Sequence, residues 1–135
     1  MPSHLPRVTK SLRVLCADDH HSVREVLARL LKRAGHTCDV VADGADVLGA
    51  IAAATAKFDV IVTDHEMPGV NGLALVKALR AAAFPGRIVV HASPLDARTQ
   101  AAYVALGVDD IIAKPIGGVA LLRAIEAAGD EPDAG

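Results

Sequence analysis

The sequence lacks an excess of charge, a long apolar run and a basic cluster. Its formal net charge is −2 over 135 residues, which gives no electrostatic case for binding nucleic acid. Its apolar runs are far shorter than the roughly 18 residues typical of a membrane span. The N-terminal segment MPSHLPRVTKSLR has no apolar core of the kind found in signal peptides. These absences favour a cytoplasmic protein with no membrane or nucleic-acid partner.

Cysteine is also scarce, since Cys16 and Cys38 are the only two in the chain. They form no CxxC motif, and both lie in apolar segments. The simplest interpretation is a pair of reduced, buried thiols. A redox pair between adjacent strands is the alternative.

What the sequence does have is a composition typical of a globular domain. Hydrophobic residues make up 52% of the chain, so we expect a folded rather than a disordered protein. Its length is sufficient to bury a core. Because no repeat, long linker or second domain is visible, we predict an N-terminal extension over residues 1–11, one domain over 12–128 and a polar tail over 129–135.

Short apolar runs alternate with segments of helical periodicity along the chain. Strands are predicted over Leu12–Cys16, Thr37–Val41, Phe58–Thr63, Arg87–His91 and Asp110–Ala113. Helices are predicted from apolar residues at helical spacing: Val23, Val26, Leu27, Leu30, Leu31 and Ala34; Val47, Leu48 and Ile51; Leu73, Val76 and Leu79; Ala97–Leu106; and Val119, Leu122 and Ile125. This strict alternation predicts an α/β fold with a doubly wound, five-stranded parallel sheet covered by helices on both faces. The chain is too short for an eight-stranded barrel.

Polar residues follow four of the predicted strands where each strand ends. Asp18 and Asp19 follow the first strand, Asp64 the third, Ser93 the fourth and Lys114 the fifth. Open doubly wound sheets bind ligands beyond the carboxyl ends of their strands, near the point where strand order reverses. We therefore expect three carboxylates, a hydroxyl and an ammonium group to meet at one edge of the sheet.

The chemistry of that set is restrictive. Gathered carboxylates repel one another and raise each other's pKa values unless cations intervene. Oxygen ligands of this kind suit Mg²⁺, which keeps several waters and pairs with phosphoryl groups. A carboxylate such as Asp64 can attack phosphorus as a nucleophile, and Lys114 and a hydroxyl can then neutralise the new oxygens. The pattern therefore predicts an aspartate that becomes phosphorylated.

Several segments of the chain resemble the receiver domain of two-component response regulators. They are ADDH with the following REVLARLLKRAGH, then VADGADVL, VIVTDHEMPGVNGLALVKALR and ALGVDDIIAKPI. The resemblance extends roughly from Leu12 to Ala127. It implies the flavodoxin-like strand order 2-1-3-4-5 and a phosphorelay function, with a histidine kinase or histidine phosphotransfer protein as the phosphoryl donor.

The resemblance also implies a role for individual residues. Asp64 would be the phosphoacceptor, Lys114 would contact the phosphoryl group, and the peptide bond to Pro115 would be cis. The magnesium ligands would be Asp18, Asp19, Asp64 and the backbone carbonyl of Glu66. We expect a signalling module that stands alone in its chain, with at most slow self-dephosphorylation.

Two departures from the family pattern predict an atypical switch. Receivers usually end the fourth strand with Thr or Ser, but here the order is His91-Ala92-Ser93, so either Ala92 or Ser93 occupies the switch position. Receivers also often carry an aromatic residue three positions before the lysine, and here that position is Ile111. Tyr103, on the predicted fourth helix, is expected to be partly exposed.

Other interpretations of the same residues stay open at this point. A hydrolase with an aspartyl-phosphate intermediate often has a second Asp two residues after the nucleophile, where this chain has Glu66. A module that keeps the fold without being phosphorylated is a third possibility. Asp18 and Asp19 can also be explained as caps of the following helix. Four histidines near the acidic edge raise the hypothesis of a zinc or iron site, although histidines in polar loops are more often not ligands: His20, His21, His65 and His91.

Overall fold

The structure is a computed structural model that describes residues 10–54, 57–114 and 118–130, and strands and helices alternate throughout these ranges. The strands are Arg13–Ala17 (β1), Thr37–Val41 (β2), Val60–Thr63 (β3), Arg87–Ala92 (β4) and Asp110–Ala113 (β5). The helices are His21–Arg33 (α1), Gly44–Ala53 (α2), Gly72–Ala81 (α3), Ala97–Ala105 (α4) and Gly118–Asp130 (α5). The predicted bounds of β2 and β5 are confirmed, and those of the other strands shift by one or two residues.

All five strands form one parallel sheet in the order β2-β1-β3-β4-β5, which confirms the predicted fold class and strand order. All four residues of β3 are buried, as expected for a central strand that is covered on both faces. The edge strand β2 is largely exposed. Strand order reverses between β1 and β3, so the carboxyl ends of these two strands mark the place where a ligand is expected.

Each face of the sheet has its own hydrophobic core, because successive residues of a strand point to opposite faces. One core packs the sheet against α2, α3 and α4, and its buried members include Leu15, Ile61, Val90, Val47, Leu75, Leu79 and Tyr103. The other core packs it against α1 and α5, and its buried members include Val14, Val62, Val89, Leu27, Leu31, Leu121 and Ile125.

Among the helix starts that the structure describes, three have side-chain caps. Asp43, Asn71 and Asp96 accept hydrogen bonds from backbone N–H groups in the first turns of α2, α3 and α4, which satisfies donors that a helix start leaves free. By contrast, α1 begins after His20 and has no side-chain cap. The interpretation of Asp18 and Asp19 as caps of α1 is therefore wrong.

Three side chains differ in exposure from their predicted positions. Tyr103 is 0% exposed, so the expectation of a partly exposed residue is wrong. Val26 and Val119 belong to the predicted apolar stripes but are exposed, and the buried stripe of α1 centres on Leu27 and Leu31. The predicted cis bond to Pro115, and most of the two predicted terminal segments, lie outside the described residues.

Candidate functional site at the carboxyl edge of the sheet

Backbone hydrogen bonds just beyond the strands fix the three central residues of the site. The N–H of Asp18 donates to Val41 (3.1 Å), that of Asp64 to Ala17 (2.9 Å) and that of Lys114 to Ala92 (2.8 Å). Each residue is thus held by the neighbouring strand although its own strand has ended. The side chains leave a rigid sheet rather than mobile loops, which restricts their relative positions.

Lys114 lies between two buried carboxylates. Its Nζ is 2.7 Å from Asp18 Oδ2 and 3.1 Å from Asp64 Oδ2, while Asp18 is 1% and Asp64 5% exposed. Burying a carboxylate without a partner is strongly unfavourable, so this shared cation is what makes the pair tolerable. The structure therefore brings together these three groups, as the order of the strand ends led us to expect.

The pKa values of these groups reflect the same balance. Burial raises the pKa of the Asp64 carboxyl and the charge of Asp18 adds to the rise, whereas hydrogen bonds from Lys114 and the backbone N–H of His65 oppose it. Burial lowers the pKa of the Lys114 ammonium, but its hydrogen bonds to Asp18 and Asp64 outweigh this effect, and the pKa is raised. Lys114 therefore stays protonated at neutral pH.

Backbone donors orient both carboxylates. The N–H of His65 donates to Asp64 Oδ1 over 2.8 Å, and the N–H of His20 donates to Asp18 Oδ1 over 2.9 Å. In each case the other carboxylate oxygen is the one that faces Lys114.

The donor set suits a hard divalent cation. Ligand atoms of Asp18, Asp19, His20 and Asp64 all lie within 4.8 Å of one another, and oxygen atoms predominate, as Mg²⁺ prefers. Asp64 and Lys114 line a cleft with a volume of about 460 Å³. Asp19 and Glu66 line this cleft too. The predicted ligands are thus brought to one place.

The four histidines near the edge do not converge. His20 joins the acid cluster, His21 pairs with Glu25 on α1 at 2.6 Å, and the ring of His65 is turned toward α4. His91 is a residue of β4 and is buried, with 1% of its surface exposed. A site built from several of these histidines is not formed by the described residues.

The end of β4 places both candidate switch residues at the cleft. Ala92 is the last residue of β4 and is 2% exposed, whereas Ser93 is exposed, and both line the cleft. Within the described ranges, Ser93 makes no hydrogen bond, so nothing holds its hydroxyl on the carboxylates. The buried position belongs to Ala92.

The comparison with protein families matches the model described as "Response regulator receiver domain" over residues 14–126. The chain belongs to this family. As a receiver of two-component systems it is a signalling module.

Similar proteins differ in the size of the whole chain. The receiver is 37% identical over 123 residues to the sensory/regulatory protein RpfC of Xanthomonas campestris pv. campestris, covering 88% of this chain and 16% of that protein. It is 41% identical over 104 residues to the DNA-binding transcriptional regulator NtrC of Escherichia coli, covering 76% of this chain and 21% of that protein. The high-resolution structure of the chemotaxis response regulator CheY4 of Vibrio cholerae superimposes with a TM-score of 0.79 at 27% identity, covering 88% of this chain and 99% of that one. The receiver thus spans about a fifth or less of these two larger relatives.

One contact of this receiver was not predicted from the sequence. The hydroxyl of Tyr103 is 2.6 Å from Nδ1 of His65, directly beside Asp64. A signal did exist: Tyr103 is the only tyrosine and lies on an alanine-rich helix, and a buried tyrosine usually finds a partner for its hydroxyl. Its spacing on the helix could not identify that partner.

Asp19→Asn is expected to raise the free energy of unfolding by roughly 1 kcal/mol in the presence of a chelator. Asp18 and Asp64 share Lys114, whereas the ion-pair partner of Asp19 among the described residues is His20, whose side chain is 65% exposed. The repulsion that Asp19 adds is therefore poorly compensated. Denaturation with and without Mg²⁺ tests this. Saturating Mg²⁺ should stabilise the parent more than the variant, and lower stability of the variant in chelator would contradict the prediction.

No helix in the described ranges combines the length and the apolar character that crossing a bilayer requires.

Proposed function

We propose that this receiver accepts a phosphoryl group on Asp64 from a histidine kinase or histidine phosphotransfer protein, with Mg²⁺ as cofactor, in the cytoplasm. The observation that carries the proposal is the bridge of Lys114 between the buried carboxylates of Asp18 and Asp64. Such a bridge leaves a nucleophile, a fixed positive charge and further oxygen ligands around one cleft, which is what phosphoryl transfer requires.

Asp64 is the best-placed nucleophile of the cleft. A carboxylate oxygen of Asp64 forms a bond to phosphorus while the bond from phosphorus to the donor's imidazole nitrogen breaks, and that nitrogen keeps the electron pair. Lys114 and the N–H of His65 stabilise the charged carboxylate against the effect of burial, so the nucleophile is available. The ammonium of Lys114 then neutralises charge on the transferred oxygens.

The residues that would hold the metal are Asp18, Asp19, Asp64 and the backbone carbonyl of Glu66. When bound, Mg²⁺ would neutralise negative charge on the phosphoryl oxygens and on the carboxylates. Asp18 and Asp64 already face Lys114, so these residues of the chain orient the site by themselves. Asp19 and Glu66 line the cleft and are exposed, so an approaching donor can reach them.

The product acyl phosphate is expected to hydrolyse only slowly. The cleft offers Ser93 and Glu66 beside Asp64, but Ser93 makes no hydrogen bond to the described part of the site. We therefore propose signalling through a changed affinity for a downstream protein rather than turnover of a substrate.

Incubation with acetyl phosphate and Mg²⁺ is expected to add one phosphoryl group, visible by intact-protein mass spectrometry. Chelation of the metal should prevent the addition, because the acids would then repel the anionic donor. Hydroxylamine should remove the group, since it cleaves acyl phosphates but not phosphoserine. Labelling that is equal in chelator, or resistant to hydroxylamine, would contradict the proposal.

A further inference from the structure

Tyr103 connects α4 to the loop that follows β3. Its hydroxyl lies 2.6 Å from His65 Nδ1, and the two rings meet edge to face with centroids 5.5 Å apart and an interplanar angle of 80°. The ring of Tyr103 is 0% exposed and packs in the core beneath α3 and α4. The contact is therefore part of the packed interior rather than a surface encounter.

Gly72 makes room for this contact. A Cβ atom at position 72 would lie 2.6 Å from the Tyr103 hydroxyl and would also collide with the carbonyl oxygen of Asp64. The N–H of Gly72 donates to the carbonyl of His65 over 2.8 Å, which holds the loop against the start of α3. The missing side chain at position 72 is thus what lets the hydroxyl of Tyr103 reach His65.

His65 in turn touches Asp64. Its backbone N–H donates to Asp64 Oδ1 over 2.8 Å, while its ring bonds to Tyr103. Among the described residues this ring contact is the one hydrogen bond between α4 and the loop after β3, residues 64–71, which we call the Asp64 loop. A chain of two hydrogen bonds therefore runs from the proposed phosphoacceptor to the middle of α4.

The positions that usually transmit phosphorylation in receivers are aliphatic here. Ala92 lies at the end of β4 and Ile111 lies in β5, and neither side chain can form a hydrogen bond. Both residues nevertheless pack with Tyr103 in the same core. Tyr103, a member of this core on α4, does have a hydroxyl that can form a hydrogen bond.

We propose that His65 and Tyr103 carry the phosphorylation state of Asp64 to α4. The inference rests on the proposed function of Asp64. Phosphorylation turns one carboxylate oxygen of Asp64 into the bridging oxygen of an acyl phosphate and leaves the other as a neutral carbonyl oxygen, so the hydrogen bond that the His65 N–H donates to Asp64 becomes weaker. The loop then shifts, and the hydrogen bond between Tyr103 and the imidazole transmits the shift to α4, because packed interiors transmit displacement.

Amide NMR of the full chain tests this coupling, with beryllofluoride and Mg²⁺ as the mimic of phosphorylated Asp64. In the parent, the mimic is expected to shift amides of the Asp64 loop and of Ala97–Ala105. Tyr103→Phe should keep the loop shifts but lose at least half of the shift magnitude in α4. His65→Phe keeps a ring but removes the ring nitrogen that bonds to Tyr103, so it should have the same effect. The double variant should lose no more than either single one, since both break one link.

Gln100→Ala is the control, because Gln100 is exposed on the same helix and should leave the α4 response intact. A merely structural role for Tyr103 would change the spectrum without the mimic but not the difference that the mimic produces. Undiminished α4 shifts in Tyr103→Phe, or loop shifts without α4 shifts in the parent, would overturn the coupling and leave the proposed function standing. A parent that shows no loop shifts would overturn both.

Discussion

Asp64→Asn is expected to abolish phosphorylation by acetyl phosphate in the presence of Mg²⁺. An amide is a poor nucleophile toward phosphorus, and Asp64 is the buried carboxylate that lines the cleft. Asp18 makes the same kinds of contact, to Lys114 and to a backbone N–H, but it is not among the described residues that line the cleft. Intact-protein mass spectrometry gives the result directly.

Asp96→Asn is the matched control for this experiment. Asp96 lines the same cleft and caps α4 through Thr99, a role that Asn fills about equally well. It should therefore be labelled as the parent is. If the Asp64→Asn variant were labelled like the parent, another group would be the nucleophile and the assignment of Asp64 would be wrong. Equal melting temperatures of Asp64→Asn and the parent in chelator would show that the variant is folded, and that its loss of labelling does not come from unfolding.

The fold was predictable because the apolar residues of the sequence recur with clear strand and helix periodicity. Five short apolar runs, each followed by a helical stripe, leave few alternatives once the chain is too short for a barrel. Strand ends were less certain: Phe58 is buried but precedes β3, because burial and ladder pairing do not begin at the same residue. The order of the strands required the family resemblance.

The meeting of Asp18, Asp64 and Lys114 was predictable for a different reason. Parallel strands bring their carboxyl ends to one edge, so residues at these ends meet whatever the helices do. Side-chain partners across the helices follow no such rule. Tyr103 is buried against His65 because Gly72 leaves space there, and a three-body arrangement of this kind cannot be obtained from helical spacing. The functional roles of all these residues remain predictions.

His91 is expected to make the protein lose stability in acid. It is 1% exposed, and within the described part of the chain neither ring nitrogen has a hydrogen-bond partner. Burial and, to a smaller extent, the charge of Lys114 lower the pKa of His91 from 6.5 to about 4, while the charge of Asp18 opposes the change. The folded protein therefore holds His91 neutral at pH values where the unfolded chain would protonate it.

The sign of the effect follows from which state binds the proton. Between pH 6.5 and about 4, His91 is mostly protonated in the unfolded state and mostly neutral in the folded state. The free energy of unfolding therefore falls as the pH falls through this window. A pKa shift of this size corresponds to about 3 kcal/mol in the free energy of unfolding, and most of this amount is lost by the time the pH reaches 4. The raised pKa of Asp64 acts in the opposite direction, because its folded form binds a proton more readily. A single protein therefore shows only the sum of these effects.

His91→Leu isolates the contribution of His91. Leucine suits the apolar surroundings on the α1 and α5 face, so the variant should be at least as stable as the parent at pH 7 and should lose about 3 kcal/mol less between pH 7 and pH 4. Chemical denaturation in chelator at both pH values measures this difference, and the contribution of Asp64 cancels between the two proteins. Equal losses in His91→Leu and the parent would show that His91 is protonated in the folded protein as readily as in the unfolded chain, and that its burial is compensated after all.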